Sequence, residues 1–178
     1  MINLPTQKVV IKSIMKISQN EIVEENVSNG SPADSHDENR NRRVVKTVYK
    51  TLLRGGGGET EKLAKVVGKE LEWRYHGPPH CQHMMKKLTG EAMEKSFKFR
   101  PRRMRSVKGD RLIVEGWEDV GEYWVHVWRV KDGIITQLRE YFNTLLTVVS
   151  EDSNEVRIWR STPWARVQGS LPDLVLSI

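Results

Sequence analysis

The apolar positions of this chain follow a helical period in three segments of its first half. The first segment lies between Asn41 and the glycines at 55–58, the second begins at Thr60, and the third runs between Cys81 and Gly90. In each segment apolar residues recur every three or four positions, which predicts a helix with one buried face. The four consecutive glycines are expected to end the first helix, because glycine has the largest backbone freedom to lose.

The second half of the chain has the period of two that is expected for half-buried strands. A lone strand with Leu71, Trp73 and Tyr75 on one face precedes the third helix. In the first strand after that helix the apolar side chains change face at Pro101, which predicts a bulge or sharp bend. Short Gly or Asp-Gly junctions, typical of hairpins, separate four predicted strands after the third helix. These strands are Phe97–Val107, Arg111–Glu118, Glu122–Lys131 and Ile134–Val149.

Three helices and a lone strand followed by an antiparallel meander indicate an α+β fold, with the helices packed on one face of a curved sheet. Residues 1–40 contain too few apolar groups to offset the entropy of ordering and are predicted to form a mobile polar leader. Residues 41–150 form the predicted domain. Residues 151–178 form a C-terminal extension that we expect to dock on the domain, because Leu171–Ile178 is apolar.

The composition narrows the class of protein. No apolar run in the 178 residues approaches the ~18 that a membrane-spanning helix needs, so we expect no membrane insertion. Lysines interrupt the apolar stretch near the start, which argues against a secretory signal and favours the cytoplasm, with the nucleus as an alternative.

The single cysteine, Cys81, excludes an internal disulfide. His76, His80 and His83 lie close by, but a Gly-Pro-Pro kink separates His76 from the others, so we predict neither a metal nor a cofactor.

Positive charge is concentrated in one predicted strand. Residues 95–111 contain eight basic side chains and one acidic side chain, a net charge of +7, whereas the whole chain carries +6. Such a patch attracts polyanions, but charge also keeps an outward strand face soluble and protects its edge. Aromatic side chains that could stack on nucleic-acid bases hardly interleave with these charges. The candidate polyanion-binding residues are Lys98, Arg100, Arg102, Arg103 and Arg105.

The predicted strand Glu122–Lys131 is rich in apolar side chains on both faces. Trp124, His126 and Trp128 share one face, where two indoles around an imidazole would suit a flat apolar ligand. His126 could act there as an acid or base near neutral pH, or it could be a satisfied interface residue. Because both faces need a cover, the pattern favours a pocket on one side and a partner subunit, in a homodimer, on the other.

Five motifs in order carry a family resemblance, namely His76–Pro79, Leu88–Gly90, Val125–Trp128, Arg139–Thr144 and Leu171–Leu176. Together with the order of helices and strands, they resemble the plant wound-induced, or senescence-associated, protein family. That family lies within the nuclear transport factor two-like superfamily, which includes ketosteroid isomerase-like and SnoaL-like proteins. The resemblance runs from about Arg43 to Ile178. It implies a cone-shaped, cystatin-like fold, in which a curved antiparallel sheet wraps around three N-terminal helices and one deep pocket.

The resemblance also bears on catalysis. In SnoaL-like cyclases an Asp at the position of Asn143 acts as a general base, and an amide cannot accept that proton. Asn143 therefore disfavours an enzyme; it either orients a ligand or satisfies backbone groups at the strand end. Glu140 lies three residues before Asn143 and therefore on the opposite face from Asn143 in a regular strand. It is either part of an exposed ion pair or a buried carboxylate whose partner is Arg74, Arg129 or His126.

The leading interpretation is a stress- or wound-responsive plant protein that binds a small apolar ligand in the cone-shaped pocket, without catalysis. The candidate ligand-binding residues are Trp73, His76, Trp124, His126, Trp128, Tyr141 and Asn143. One alternative is an isomerase or hydratase with His126, Glu140 and Tyr141 as candidate catalytic residues. The other is an interaction module that binds a polyanion through the basic strand 95–111.

Overall fold

The computed structural model describes residues 6–10, 32–54, 59–89, 91, 97–107, 109–117, 122–152, 155–163 and 171–178. Its helices are α1 (Pro32–Arg54), α2 (Glu59–Val66) and α3 (His83–Thr89), with a 3₁₀ turn at Pro79–Cys81. Its strands are β1 (Thr6–Val10), β2 (Val67–His76), β3 (Pro101–Ser106), β4 (Arg111–Trp117), β5 (Tyr123–Lys131), β6 (Ile134–Phe142), β7 (Thr144–Asp152), β8 (Glu155–Arg160) and β9 (Leu171–Ser177). None of the helices within these ranges combines the length and apolar character needed to cross a membrane.

The main sheet has six strands in the order β1-β2-β6-β5-β4-β3. The prediction of an α+β fold with three helices against a curved sheet is confirmed. Every neighbouring pair is antiparallel except β2 and β6, which run parallel. The hairpin junctions in the sequence did not predict that β2 pairs with β6. These two strands are far apart in sequence, and no short turn between them determines whether they run parallel or antiparallel.

The helices cover the inner face of the main sheet. The buried face of α1 carries Val45, Val48 and Tyr49, spaced as the sequence predicts for a one-sided helix. They belong to one apolar cluster with inner-face side chains of the sheet, including Trp73 and Trp128, which are 2% and 0% exposed. The inner face of the cone is therefore the main hydrophobic core.

The outer face of the main sheet is covered by a second, three-stranded sheet in the order β8-β7-β9. Leu146, Val148 and Trp159 of this sheet form an apolar cluster with Tyr123 and Val125 of β5. The expectation of a homodimer depended on that face needing a partner subunit. The chain covers that face with its own second sheet, so the face does not need a partner subunit, and the homodimer stays a prediction.

Asn143 divides the single strand predicted over Ile134–Val149 into β6 and β7, so that prediction is wrong. Asn143 has a φ of +50°, in the left-handed region that asparagine adopts more readily than most residues. Its N–H donates to the Tyr123 carbonyl (2.7 Å), and its carbonyl accepts from the Leu171 N–H (2.9 Å). This corner directs the chain out of the main sheet and into the second one.

The C-terminal extension forms β8 and β9. Strand β9 pairs in parallel with β7, and Leu174, Leu176 and Ile178 pack on the outer-face cluster, whereas Val175 is 73% exposed. Two parts of the predicted leader lie in regular structure: β1 pairs with the edge of β2, and α1 begins at Pro32 rather than at Asn41. Proline is favoured in the first turn of a helix. The remainder of the leader and the glycines at 55–58 lie outside the described residues.

Candidate functional site

Five side chains inside the cone form one hydrogen-bonded series, which we call the buried polar chain. Trp128 Nε1 donates to the Tyr49 hydroxyl (2.9 Å), which lies 2.6 Å from His126 Nδ1. His126 Nε2 lies 3.4 Å from Glu140 Oε1, and Trp73 Nε1 donates to Glu140 Oε2 (3.2 Å). All five side chains are buried, with at most 2% exposure.

Strand register brings these groups together. His126 of β5 is directly opposite Glu140 of β6, and Trp128 is opposite Leu138, which also pairs with Trp73 of β2. Because paired residues share a face of the sheet, all of them point to the helices. Tyr49 comes from α1 and stacks on the His126 ring at a centroid distance of 5.9 Å.

The donors at the ends set the direction of the buried polar chain. An indole N–H only donates, so the Tyr49 oxygen accepts from Trp128. One tautomer of the neutral His126 satisfies both of its contacts: Nδ1 accepts the Tyr49 proton, and Nε2 carries the ring's own proton and faces Glu140. The second indole, Trp73, donates to the other carboxyl oxygen of Glu140. Each polar group in the series therefore has a partner of the right kind.

The electrostatics favour uncharged rings. Burial lowers the pKa of His126 below its ordinary value, although the hydrogen bond and charge of Glu140 oppose this. Burial raises the pKa of Tyr49 well above its usual range, while the hydrogen bond from Trp128 opposes the rise. At neutral pH both rings are uncharged. This arrangement orients rings inside the cone, and its Tyr49 also lines a surface cleft.

That cleft lies between α1 and β3 and has a volume of about 290 Å³. One wall is formed by α1 and the other by the start of β3, where Pro101 is opposite Gly116 but Arg103 is already opposite Glu115. The bulge predicted at Pro101 is therefore confirmed, with Arg102 as the extra residue. The lining residues are Lys46, Tyr49, Lys50, Leu53, Pro101, Arg102, Arg103 and Met104.

The arginines of the cleft have defined contacts. Arg103 Nη1 lies 2.7 Å from the buried Glu115 Oε1, and the Arg102 guanidinium lies 5.9 Å from the centre of the Trp117 ring. Glu115 also accepts the Tyr123 hydroxyl proton (2.6 Å). The β3 wall of the cleft is thus anchored to the outer face of the main sheet.

The predicted site residues divide into three groups. Trp73, Trp124, His126 and Trp128 lie together on the inner face, behind Tyr49, and do not line the cleft. Their role in binding a ligand stays a prediction. Glu140, for which an exposed ion pair was one interpretation, is fully buried, and its partner is His126, one of the three predicted.

His76 and Tyr141 form the second group, on the opposite face of the sheet. They are register partners, with ring centroids 6.3 Å apart. The three candidate catalytic residues are therefore not brought together, because Tyr141 projects away from His126 and Glu140. The isomerase or hydratase alternative stays a prediction. In this structure Tyr141 could not act together with His126 and Glu140 on one substrate.

Asn143, the third group, lies at the corner between the two sheets. Its Oδ1 accepts the Tyr123 backbone N–H at 2.9 Å. This contact matches the interpretation of a strand-end residue that satisfies the backbone. A carboxylate oxygen could accept the same hydrogen bond, so Asn and Asp are equivalent for this structural role.

Asn143→Ala is expected to lower the free energy of unfolding by about 2 kcal/mol, because it leaves the Tyr123 N–H without its acceptor and puts alanine at positive φ. Asn143→Asp, the matched control, is expected to change stability by less than about 0.5 kcal/mol, since it retains an acceptor oxygen. Urea denaturation measures both. Equal losses for the two variants would contradict this role of Oδ1.

The five candidate polyanion-binding residues of the basic strand are all exposed. Arg102 and Arg103 also line the cleft, so they belong to both candidate sites. Binding of a polyanion stays a prediction.

Sequence reasoning missed the α1 side of the cleft, above all Tyr49. The signal was a hydroxyl-bearing side chain on a helix face that is otherwise aliphatic, where a buried tyrosine needs a hydrogen-bond partner. Lys46 and Leu53 gave no such signal. Leu53 fits the apolar period that predicts the buried face of this helix, although it is 38% exposed in the structure.

Comparisons with known proteins agree with the motifs. The sequence model of the family described as Wound-induced protein WI12 matches residues 85–178, just over half of the chain. The chain is 39% identical over 106 residues to Wound-induced protein 1 of Solanum tuberosum, covering 53% of this chain and 100% of the relative. It is 35% identical over 111 residues to the Senescence associated gene 20 protein of Arabidopsis thaliana, again covering 53% and 100%.

Among solved structures, the chain is similar to an NTF2-like protein from Burkholderia xenovorans, with 22% identity and a TM-score of 0.42, covering 58% of this chain and 89% of that chain. The family assignment depends on the sequence matches, in which the plant relatives are covered over their whole length. The chain belongs to the wound-induced protein WI12 family, as its motifs predict.

Proposed function

We propose that the protein binds a small ligand with an apolar body and an acidic group in the cleft between α1 and β3. One observation carries the proposal: the cleft combines an apolar lining with cationic side chains and, among its eight lining residues, no acidic one. Its volume of about 290 Å³ lies at the lower end of the range for small-molecule sites. The wound-induced and senescence-associated names of the relatives support a ligand linked to stress.

The apolar part of the lining consists of Tyr49, Leu53, Pro101 and Met104. Leu53 is 38% exposed, so a ligand that covers it removes apolar surface from water. Burial of such surface contributes about 25 cal/mol for each Å². This gives affinity without directional contacts and favours a flexible or flat hydrocarbon body.

The cationic part consists of Lys46, Lys50, Arg102 and Arg103. Glu115 pairs with Arg103 from behind the cleft, and none of the eight lining residues is acidic, so the lining carries a net positive charge. A carboxylate at the rim would be attracted more strongly than in bulk water, because the apolar lining lowers the local dielectric. The charge therefore selects an acid over an alcohol of the same shape.

The proposal is for binding without a chemical reaction. The lining includes no histidine, aspartate or glutamate, which are the usual general acids and bases. His126 and Glu140 lie behind Tyr49 and are fully buried. Tyr49 itself uses its hydroxyl inside the buried polar chain.

Calorimetric titration with octanoate, and with 1-octanol as its uncharged counterpart, tests the proposal. We expect saturable binding of octanoate and binding of 1-octanol at least about tenfold weaker, which corresponds to about 1.4 kcal/mol. Leu53→Glu is expected to weaken octanoate binding about tenfold or more, because it places a carboxylate beside the ligand's own.

Ile134→Glu is the matched control, since Ile134 is 37% exposed and lies on β6, away from the cleft. It should leave octanoate affinity within twofold of the wild type. Equal weakening by the two substitutions, or no saturable heat with octanoate, would overturn the proposal.

A further inference from the structure

Four side chains on the outer face of the β2–β6 pair form a cluster that neither the cleft nor the buried polar chain uses. Arg74 is the register partner of Arg139, and His76 is the partner of Tyr141. Because the strands are parallel and the pairs are two residues apart, all four side chains share one face. We call them the outer cluster. They lie on the opposite face of the main sheet from the buried polar chain.

Two nitrogen atoms of the outer cluster are buried without a hydrogen-bond partner in the described part of the chain, namely Arg139 Nε and His76 Nε2. The guanidinium nitrogen always carries a proton to donate. A buried donor without an acceptor costs about 1–3 kcal/mol. Arg139 Nε is such a donor, and the unpartnered His76 Nε2, which donates in one tautomer of the neutral ring, lies on the adjacent residue pair. Arg139 Nε therefore indicates that an acceptor binds between these strands.

The charge around the outer cluster is positive. Arg74 Nη2 pairs with Glu72 Oε1 at 2.7 Å, whereas Arg139 makes no ion pair within the described residues. Burial lowers the pKa of Arg111, and the positive charges of Arg129 and Arg139 lower it further, while Asp110 opposes them. Glu72 is the carboxylate that acts on both Arg74 and Arg139, since its burial raises its pKa and the positive charges of both arginines lower it. Arg139 therefore shares one carboxylate with Arg74 and lies in a field of other arginines.

Tyr141 adds a further polar group. Burial raises the pKa of Tyr141, although the charge and hydrogen bond of Arg139 and the charge of Arg74 oppose the rise. At 1% exposure its hydroxyl stays protonated at neutral pH and is available as a donor. The two guanidinium groups and the hydroxyl present donors, and His76 adds one in the tautomer that has its proton on Nε2. Glu72 already occupies one side of Arg74.

We propose that the outer cluster binds a phosphate group, with Arg139 and Arg74 supplying charge-assisted hydrogen bonds and Tyr141 and His76 completing the site. One guanidinium group can donate two parallel hydrogen bonds to the oxygens of a phosphate. Such charge-assisted hydrogen bonds are about twice as strong as hydrogen bonds between neutral groups. The site does not depend on the cleft or on the ligand proposed for it.

Titration of the full chain with inorganic phosphate at constant ionic strength tests this site. We expect saturable binding of phosphate with 1:1 stoichiometry. An Arg139→Gln variant is expected to bind phosphate at least about tenfold more weakly, because it loses one charge-assisted contact. Arg160→Gln, the same change at an exposed arginine on β8, is the control and should stay within twofold of the wild type.

Tyr141→Phe removes a single donor and provides a second test if Arg139→Gln does not fold; we expect it to weaken phosphate binding about fivefold. Acetate, titrated in parallel, distinguishes a carboxylate site from a phosphate site and should bind more weakly. Tighter binding of acetate, equal weakening by Arg139→Gln and Arg160→Gln, or a lack of saturation would each overturn the proposal.

Discussion

Replacing His126 with alanine is expected to lower the free energy of unfolding by about 4 kcal/mol. The imidazole is fully buried and is the central link of the buried polar chain. Its removal leaves a cavity among Tyr49, Trp124 and Trp128, and it leaves the Tyr49 hydroxyl proton and Glu140 Oε1 without a partner. The cavity and the unsatisfied groups act in the same direction, so their effects add.

Urea denaturation followed by circular dichroism measures this loss. His36→Ala is the matched control, because His36 is exposed on α1 and its loss should change stability by no more than about 0.5 kcal/mol. A loss below about 1 kcal/mol for His126→Ala would show that the buried polar chain does not stabilise the interior.

Acidification from pH 7 to pH 5 is expected to destabilise the wild type more than a His126→Gln variant, by at most about 2 kcal/mol. Burial lowers the pKa of His126 in the folded state, although Glu140 opposes it. Below the ordinary histidine pKa of ~6.5 the unfolded chain therefore takes up a proton that the folded chain does not. Stability is full above that pH and falls by about 1.4 kcal/mol per pH unit until the folded pKa is reached.

Unfolding free energies of the two proteins at several pH values give the comparison. Burial also lowers the pKa of His76 and His83, but both remain in the variant, so their effects cancel in the difference. Parallel pH dependence of the two proteins would mean that His126 has the same pKa in the folded and unfolded chains, with Glu140 cancelling the effect of burial. This result would contradict the prediction.

The inner face of the cone could be predicted because hydrophobic periodicity determines which side chains point the same way. Trp124, His126 and Trp128 alternate with outer-face residues, and this spacing alone places them together. The partners of Glu140 and His126 could not be chosen from sequence, because the pairing register of β5 and β6 depends on the turn geometry between them.

The cover of the outer face was not predictable from the same pattern. An apolar sheet face indicates that other apolar groups cover it, but it does not indicate which ones. A second subunit and a further sheet of the same chain could both provide the cover. The chain enters the second sheet because the left-handed backbone of Asn143 ends β6. An asparagine within an otherwise regular alternation is too weak a signal to show this, because asparagine also occurs in strands.

The cleft combines a predicted feature with one that sequence could not give. The change of face at Pro101 predicts the bulge that forms one wall. The other wall depends on how α1 lies across β3, and this is determined by packing between elements distant in sequence, such as Tyr49 with Trp124 and Trp128.

Our proposal places a ligand between α1 and the bulge of β3, outside the buried polar chain. Backbone amide and indole NMR shifts, recorded while octanoate is added to the full chain, show where it binds. We expect the largest shifts at Lys46, Tyr49, Lys50, Leu53 and residues 102–104, with the indole signals of Trp73 and Trp128 little changed. Largest shifts at Trp73, Trp124, His126 and Trp128, with none along α1 and β3, would place the ligand inside the cone and contradict the proposal.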